Sequence, residues 1–450
     1  MIGETRLAAA LSALVKRARA DGASVCAHAR ARQVFRFANE AIHQDLVQEG
    51  VTVTVKVLEG RRVGVASANT LEPQSLARCV SAAREIARHS PTQRDLPEPP
   101  GGHHLSTTTD VVPATTRISP SAIVSSIKRL FHLCKGAGAG LAGSFVTGTD
   151  EFAVANSTGV SCYAASTVAG AKLVTMYRQL SGFASGVNRD VGRLDLEGLL
   201  KQSLGQSLHR RESAAVPLGS YQVILESEAV AELVTWLGYT AFGAKSVEER
   251  TSFLAGRMGE RVMGEAITIY DDGNDPLGLR MPFDFEGVPK QRVTLIDRGT
   301  ASGIVYDAAY GARFGHLSTG HGMPPNEIDG PLPLHLGMAP GRAAVGEMIA
   351  SCKRGLLIPR FHYVNGLLNP REALMTGLTR EGAFLIERGK IASPVKTMRF
   401  TQSLLEAFSR VLGVSKTRTL VADPSQELGC AVMPTLHLAA FKFTGRSEHG

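Results

Sequence analysis

The sequence predicts an α+β protein of two domains, the second richer in strands, on three observations. Its 450 residues exceed what one ordinary core accommodates. Segments with apolar residues three and four apart give way to segments in which every second residue is apolar, the periods of amphipathic helices and half-buried strands. The 47 glycines favour many tight turns, because glycine reaches positive φ without a side-chain penalty.

The elements follow in order. Leu7, Leu11, Leu14 and Val15 share one helical face, with Arg6, Lys16 and Arg17 off it. Glu4 precedes this short apolar stretch and no small-x-small site follows, so an amphipathic first helix is expected rather than a signal peptide. Residues 34–67 read as a meander: Val51, Val53, Val55 and Val57 alternate with polar residues, Glu59-Gly60-Arg61 turns, and Val63 and Val65 resume the alternation. A helix over 73–89 buries Leu76, Val80, Ala83 and Ile86. The proline-rich stretch 90–120 reads as a surface loop. A second amphipathic helix carries Ile123, Ile127, Leu130, Phe131 and Cys134, and the glycine run 136–143 ends it. Short strands around 152–155 and 160–163 flank the turn Asn156-Ser157-Thr158-Gly159. Asp195 is a plausible N-cap for a third helix through Leu199, Leu200, Leu204 and Leu208.

Ala215-Val216-Pro217-Leu218-Gly219 marks the expected boundary, giving domains 1–215 (sandwich-like, with the loop 90–120) and 216–450 (strand-rich, with a curved or barrel-like sheet). A helical region is expected over 228–265. Val293–Gly299 and Ala383–Gly389 share one build, an apolar strand running into a charged turn closed by glycine.

Composition narrows the function. Lys and Arg number 49 against 41 Asp and Glu, a net +8 spread thinly, with no basic block or aromatic-interleaved stripe, so no nucleic-acid partner is expected. The most apolar stretch, 229–244, holds Glu232 and is too short to span a bilayer. Cys26, Cys79, Cys134, Cys162, Cys352 and Cys430 are scattered without a CxxC pair, which points to a reducing cytoplasm.

Several stretches then form a pattern. Arg36–Ile42, Gly50-Val51 and Gly60–Gly64 open it. Ala153–Ser157 and Arg189-Asp190 follow, then Ser252–Glu260 and Asp271-Asp272. Pro282-Phe283-Asp284-Phe285-Glu286-Gly287-Val288-Pro289 is the most distinctive stretch. Leu295-Ile296, Gly299, Gly303, Asp307, Ser318-Thr319-Gly320, Gly366, Asn369-Pro370, Phe384–Glu387, Gly389 and Pro394-Val395 complete it. In this order they resemble the TldD/PmbA family across nearly the whole chain. The resemblance implies a two-domain α+β fold. It also implies kinship with zinc peptidases that pair with a non-catalytic relative around a cavity admitting unfolded peptides.

The family's catalytic branch carries HExxxH on a helix, with a cysteine near the C-terminus as third ligand; two histidines on adjacent turns bind zinc and the glutamate activates its water. This sequence has neither HExxxH nor HExxH. Thr235-Trp236-Leu237-Gly238-Tyr239-Thr240 stands at that place, so Thr235 and Thr240 are degenerate ligand positions, no catalytic residue is assigned, and zinc is expected in a partner chain. A rebuilt site from His316, His321, Cys430 and His437 is the alternative. His103-His104 in the loop reads as solvated. Asp284 and Glu286 are either paired carboxylates or parts of a structural turn.

The resemblance therefore implies a non-catalytic subunit pairing with an HExxxH-bearing TldD-like chain around peptide substrates. The competing readings are a stand-alone hydrolase with a relocated metal and a homodimeric peptide-binding protein.

Overall fold

A computed structural model describes residues 1–93, 96–101, 107–209, 212–425 and 428–446; His103 and His104 lie outside them. Two sheets share no strand. In the first, Gly22–Ala38 pairs antiparallel with Ala41–Glu59 on one side and Gly140–Asn156 on the other. Arg62–Ala68 extends one edge, and Ser161–Tyr177 the other. Thr108–Asp110 and Leu180–Asn188 line up along the outer side of Ser161–Tyr177.

Successive strand side chains point to opposite faces, so this sheet sorts its residues by parity. Val25, Ala27, Phe35 and Phe37 face the helices Glu4–Ala18, Pro73–His89, Pro120–Gly136 and Leu196–Ser207. Cys26, Phe152, Val154 and Cys162 face the other way, onto Met281, Phe283 and Phe285. Leu7, Leu11 and Leu14 are buried as their period requires, and so are Ile123, Ile127, Leu130, Phe131 and Cys134. The Asp195 carboxylate caps its helix, accepting from the Gly198 N–H at 2.9 Å.

Four expectations are corrected. The first strand begins at Gly22, not near 34. Its even-numbered residues His28, Arg30 and Arg32 gather around Asp150, which lets polar side chains lie on a covered face. Ile86 is 46% exposed, and Cys79 and Ala87 take its place in the buried stripe. The stretch 90–120 contributes a strand and the buried Thr115, whose hydroxyl donates to Arg189 O at 2.8 Å. The helical region stops at Glu248, because Arg250, Gly256 and Gly259 turn through positive φ.

The second sheet has thirteen strands among the described residues, organised around Cys430–Arg446. That strand pairs in parallel with His335–Met338 and antiparallel with Gly219–Leu225, Met398–Ser403 and Val411–Val421. The pairing path runs from Thr300–Ala301 to Lys390–Pro394 without closing, so the barrel-like expectation becomes an open, branched sheet. Its two ends are the matching segments of the sequence. In each, consecutive left-handed residues make the hairpin turn: Arg298 and Gly299 (φ 44° and 79°), Arg388 and Gly389 (φ 51° and 74°).

Helix Ser227–Ala241 lies on this sheet. Leu233, Val234 and Leu237 are fully buried in one cluster with Leu436 and Leu438, each contributing about 1.5–3 kcal/mol by burial. No helix among the described residues is long and apolar enough to cross a membrane.

Polar contacts join the sheets. The Lys172 ammonium meets Asp423 at 2.7 Å, and Arg32 Nε donates to Pro424 O at 2.8 Å. At the start of helix Ser227–Ala241, the half-buried Glu228 carboxyl accepts from the Ser185 hydroxyl. Burial pushes Glu228 from 4.5 up to about 7, against the pull of Arg360 and Lys172. Its folded pKa being raised, its contribution is full below about 4.5 and is lost as pH rises through about 7. Glu228→Gln, which stays neutral, is expected to stabilise the protein by roughly 1–3 kcal/mol at pH 8 and to leave it nearly unchanged at pH 4. Urea unfolding at both pH values measures this.

Candidate functional site

The family resemblance leads to the expectation that any metal chemistry falls on helix Ser227–Ala241. Its fully apolar inner face fixes its rotation and turns Thr235, Trp236 and Tyr239 outward or to the margin. Thr235 is exposed. Thr240 is buried and its hydroxyl donates to Trp236 O at 2.8 Å, the ordinary i−4 bond of a helical threonine. Trp236 packs so tightly on the strand Phe361–Asn369 that a Cβ at Gly366 would sit 2.7 Å from its ring. No side chain at these three positions offers an imidazole, a thiolate or a carboxylate.

The alternative ligands are not brought together. His316 is exposed, its ring 5.1 Å from that of Tyr306. His321 is buried, and both its nitrogens are occupied: Nε2 meets Asp271 Oδ1 at 2.8 Å, and Nδ1 meets the Thr319 hydroxyl at 2.9 Å. Cys430 Sγ accepts from the Leu279 N–H at 3.3 Å, and burial pushes its thiol up to about 12, keeping it protonated. His437 stands seven residues along the same strand, roughly 23 Å at strand rise, opposite Ile224 and Gly413. Cys430 is the register partner of His335, whose Nδ1 is buried without a hydrogen-bond partner. That pair supplies two donors, and no group of three His, Cys, Asp or Glu able to hold a metal exists among the described residues. The donor set does not fit zinc.

What the fold does build is a buried charge cluster centred on Asp271, which is 0% exposed. Strand pairing brings its neighbours from distant stretches. Asp271 Oδ2 accepts from the His335 N–H at 2.6 Å, Oδ1 holds His321, and the buried Lys290 ammonium lies 3.7 Å away. Burial alone would raise Asp271, but Lys290 and His321 outweigh it and hold the carboxylate well below its usual range. Burial and the Lys290 charge lower His321, and they lower His335 to about 3, so both imidazoles are neutral. Neutral His321 then donates from Nε2 to Asp271 and accepts at Nδ1. Thr319–His321–Asp271 has the order of a nucleophile–base–acid relay, yet His321 is 1% exposed and the Thr319 hydroxyl is also bonded to the backbone of Tyr306. It braces the loop rather than attacking a substrate.

Asp284 and Glu286 resolve toward the turn. Asp284 Oδ1 accepts from the Glu286 and Val288 N–H groups, each at 2.9 Å, and Oδ2 from Gly322 at 2.7 Å. Glu286 accepts from Ala308 N–H at 2.8 Å, and Asp307 caps the next helix by accepting from Tyr310 at 2.7 Å. Burial, then the Glu286 charge, raises both Asp284 and Asp307. Glu286 and Asp307 reach a cavity of about 130 Å³ between the sheets, also lined by Lys56 and Pro97–Pro100. That is room for about four waters, too little for a peptide.

Similarity to known proteins places the chain among metallopeptidase-related proteins. Residues 218–445 match the PmbA/TldA metallopeptidase C-terminal domain, and the chain belongs to the PmbA/TldD family. It is 30% identical over 237 residues to the metalloprotease TldD homolog of Haemophilus influenzae, covering 52% of this chain and 47% of that one. The chain thus spans about half the length of that relative. In fold it is similar to TldE from Thermococcus kodakarensis, with a TM-score of 0.86 at 21% identity over 97% of this chain and all of that one. A second likeness is a putative modulator of a DNA gyrase from Thermotoga maritima, with a TM-score of 0.83 at 19% identity over 96% of this chain and 98% of that one.

Lys290 and His335 escaped the sequence reading. They lie far from Asp271 in the chain, and no spacing rule joins them. Asp271→Asn leaves Lys290 without a buried counter-charge and is expected to cost about 3–5 kcal/mol at pH 7. The folded pKa of Asp271 being depressed, this difference shrinks only as pH falls below its ordinary 3.8. The shift in urea midpoint at unchanged slope is the measurement.

Proposed function

We propose that this chain is the non-catalytic subunit of a heteromeric zinc peptidase that degrades or processes unfolded peptides, its partner being an HExxxH-bearing TldD-like chain. One observation carries the reading: on a helix otherwise fitted to the fold, Thr235, Trp236 and Thr240 occupy the positions at which the family resemblance expects ligand, base and ligand. Threonine hydroxyls are poor zinc ligands and an indole cannot take a proton from water. Hydrolysis therefore falls to another subunit, which holds the zinc. Residues 1–215 and 216–450 act as the two domains, the second forming the wall of the shared peptide chamber. The six cysteines, all free thiols, agree with a cytoplasmic setting.

The surface around the helix supports a partner. Tyr239 is 44% exposed, and on the neighbouring strand Tyr363 is 76%, Leu367 55% and Leu368 46% exposed. Tyr363 also holds a left-handed backbone (φ 49°), which a bulky side chain rarely adopts. Exposed aromatic anchors amid apolar neighbours are the usual energetic centres of protein interfaces. On this reading they meet the catalytic chain or line the chamber.

Co-expression with an HExxxH-bearing relative is expected to yield a complex that cleaves unstructured peptides and is silenced by a chelator. This chain alone is expected to cleave nothing. Tyr363→Ala should weaken the complex about tenfold or more, while Thr235→Ala leaves peptidase activity intact. Chelator-sensitive cleavage by the isolated chain, or no complex with any such relative, contradicts the proposal.

A further inference from the structure

Where the second sheet ends, an open groove of about 1110 Å³ runs between the hairpin Phe384–Pro394 and the end of helix Leu196–Ser207. Lys353, Arg354, Arg388 and Lys390 line it, with Glu387 as the one carboxylate among the lining residues. All four cations are exposed, and none is in an ion pair among the described residues. Main-chain bonds hold them together: Arg388 N–H donates to Lys353 O at 2.7 Å and Gly389 N–H to Cys352 O at 3.0 Å. The left-handed Arg388-Gly389 turn is seated closely, since a Cβ at Gly389 would lie 2.4 Å from Ala350 O. The main chain therefore keeps the four cations on one patch, whose positive field attracts a counter-anion. A lysine on a terminal strand is an ordinary guard against edge-to-edge pairing. That accounts for Lys390, but not for Lys353, Arg354 and Arg388, which lie off that strand.

We propose that this groove binds an extended acidic peptide segment, with Asp or Glu carboxylates on Lys353, Arg354, Arg388 and Lys390. Two features select a peptide over a nucleic acid. Lys390–Pro394 is the terminal strand, paired with Phe384–Glu387, and on its outer side Pro394 O accepts from the Ala214 N–H at 2.8 Å. Over Lys390–Ala392 it offers the groove a backbone edge for strand addition, with Ile391, 42% exposed, as an apolar contact between the cations. Among the described residues the lining holds no Phe, Tyr or Trp on which bases could stack, His209 being its one aromatic ring. This site does not depend on the subunit role proposed above.

The test is fluorescence anisotropy of the full chain with a labelled oligo-glutamate peptide at about 0.15 M salt, beside an oligothymidylate of equal charge. The peptide is expected to bind, and the double variant Arg354→Gln/Arg388→Gln to weaken it at least about tenfold. Lys16→Glu, on the exposed side of the first helix, changes net charge by the same two units and should leave binding within about twofold. Single variants Lys353→Gln and Lys390→Gln should each weaken it with unchanged urea midpoints, which separates loss of the groove from loss of the fold. No peptide binding, equal weakening by Lys16→Glu, or tighter binding of the oligothymidylate through the same four residues overturns the proposal.

Discussion

A carboxylate with no access to water must find its counter-charge inside the fold, and Asp271 sets that requirement for the second half of this chain. Its partners come from three separate stretches: Lys290 after the turn 284–289, His321 from the loop following the helix Ala308–Phe314, and the backbone of His335 at the start of a strand. The two hydrogen bonds are short, the lysine lies 3.7 Å away and each group is buried, so their positions are interdependent. The Asp284 turn lies beside this cluster and is fixed by Gly322, the residue after His321. Removing one charge strands the others in a medium that solvates them poorly. The cluster serves architecture, and its internal cation is a lysine of the chain itself.

That arrangement also disposes of the site residues taken one at a time. His321 spends both nitrogens on the cluster and its threonine. Cys430 stands opposite His335 in the strand register, but as a protonated thiol receiving a backbone N–H. His437 belongs to a different stretch of the same strand, and His316 faces solvent. Residue types suited to zinc are present, yet the fold does not make them converge.

Much of this was legible in the sequence because local physics governs it. The helices 4–18 and 120–136 bury the stripe their period selects, and Asp195 caps as its position implies; on 196–207 only Leu200 of the expected leucines is buried, beside Ser203 and Ser207, whose hydroxyls bond Thr175. The two strand-to-glycine segments became the end hairpins of one sheet, since each encodes the same pair of left-handed turn residues. Other features needed the fold. The first strand is expected only from residue 34, because nothing local shows that Asp150 and Pro424 receive His28, Arg30 and Arg32 on its covered face. The openness of the second sheet depends on pairings more than a hundred residues apart, such as Gly219–Leu225 with Cys430–Arg446. The grouping of Lys353 and Arg354 with Arg388 and Lys390 likewise arises only when two distant segments hydrogen-bond.

The central claim is that the described residues assemble no zinc site by themselves, because Thr235 and Thr240 offer hydroxyls and the remaining donors come together at most in the pair His335 and Cys430. Isothermal titration of the purified, metal-stripped chain with zinc tests it most directly. The account predicts no stoichiometric binding event tighter than the micromolar range expected of scattered surface donors, on the order of −8 kcal/mol. A one-to-one, nanomolar isotherm that is lost in Cys430→Ser or His335→Ala would contradict it.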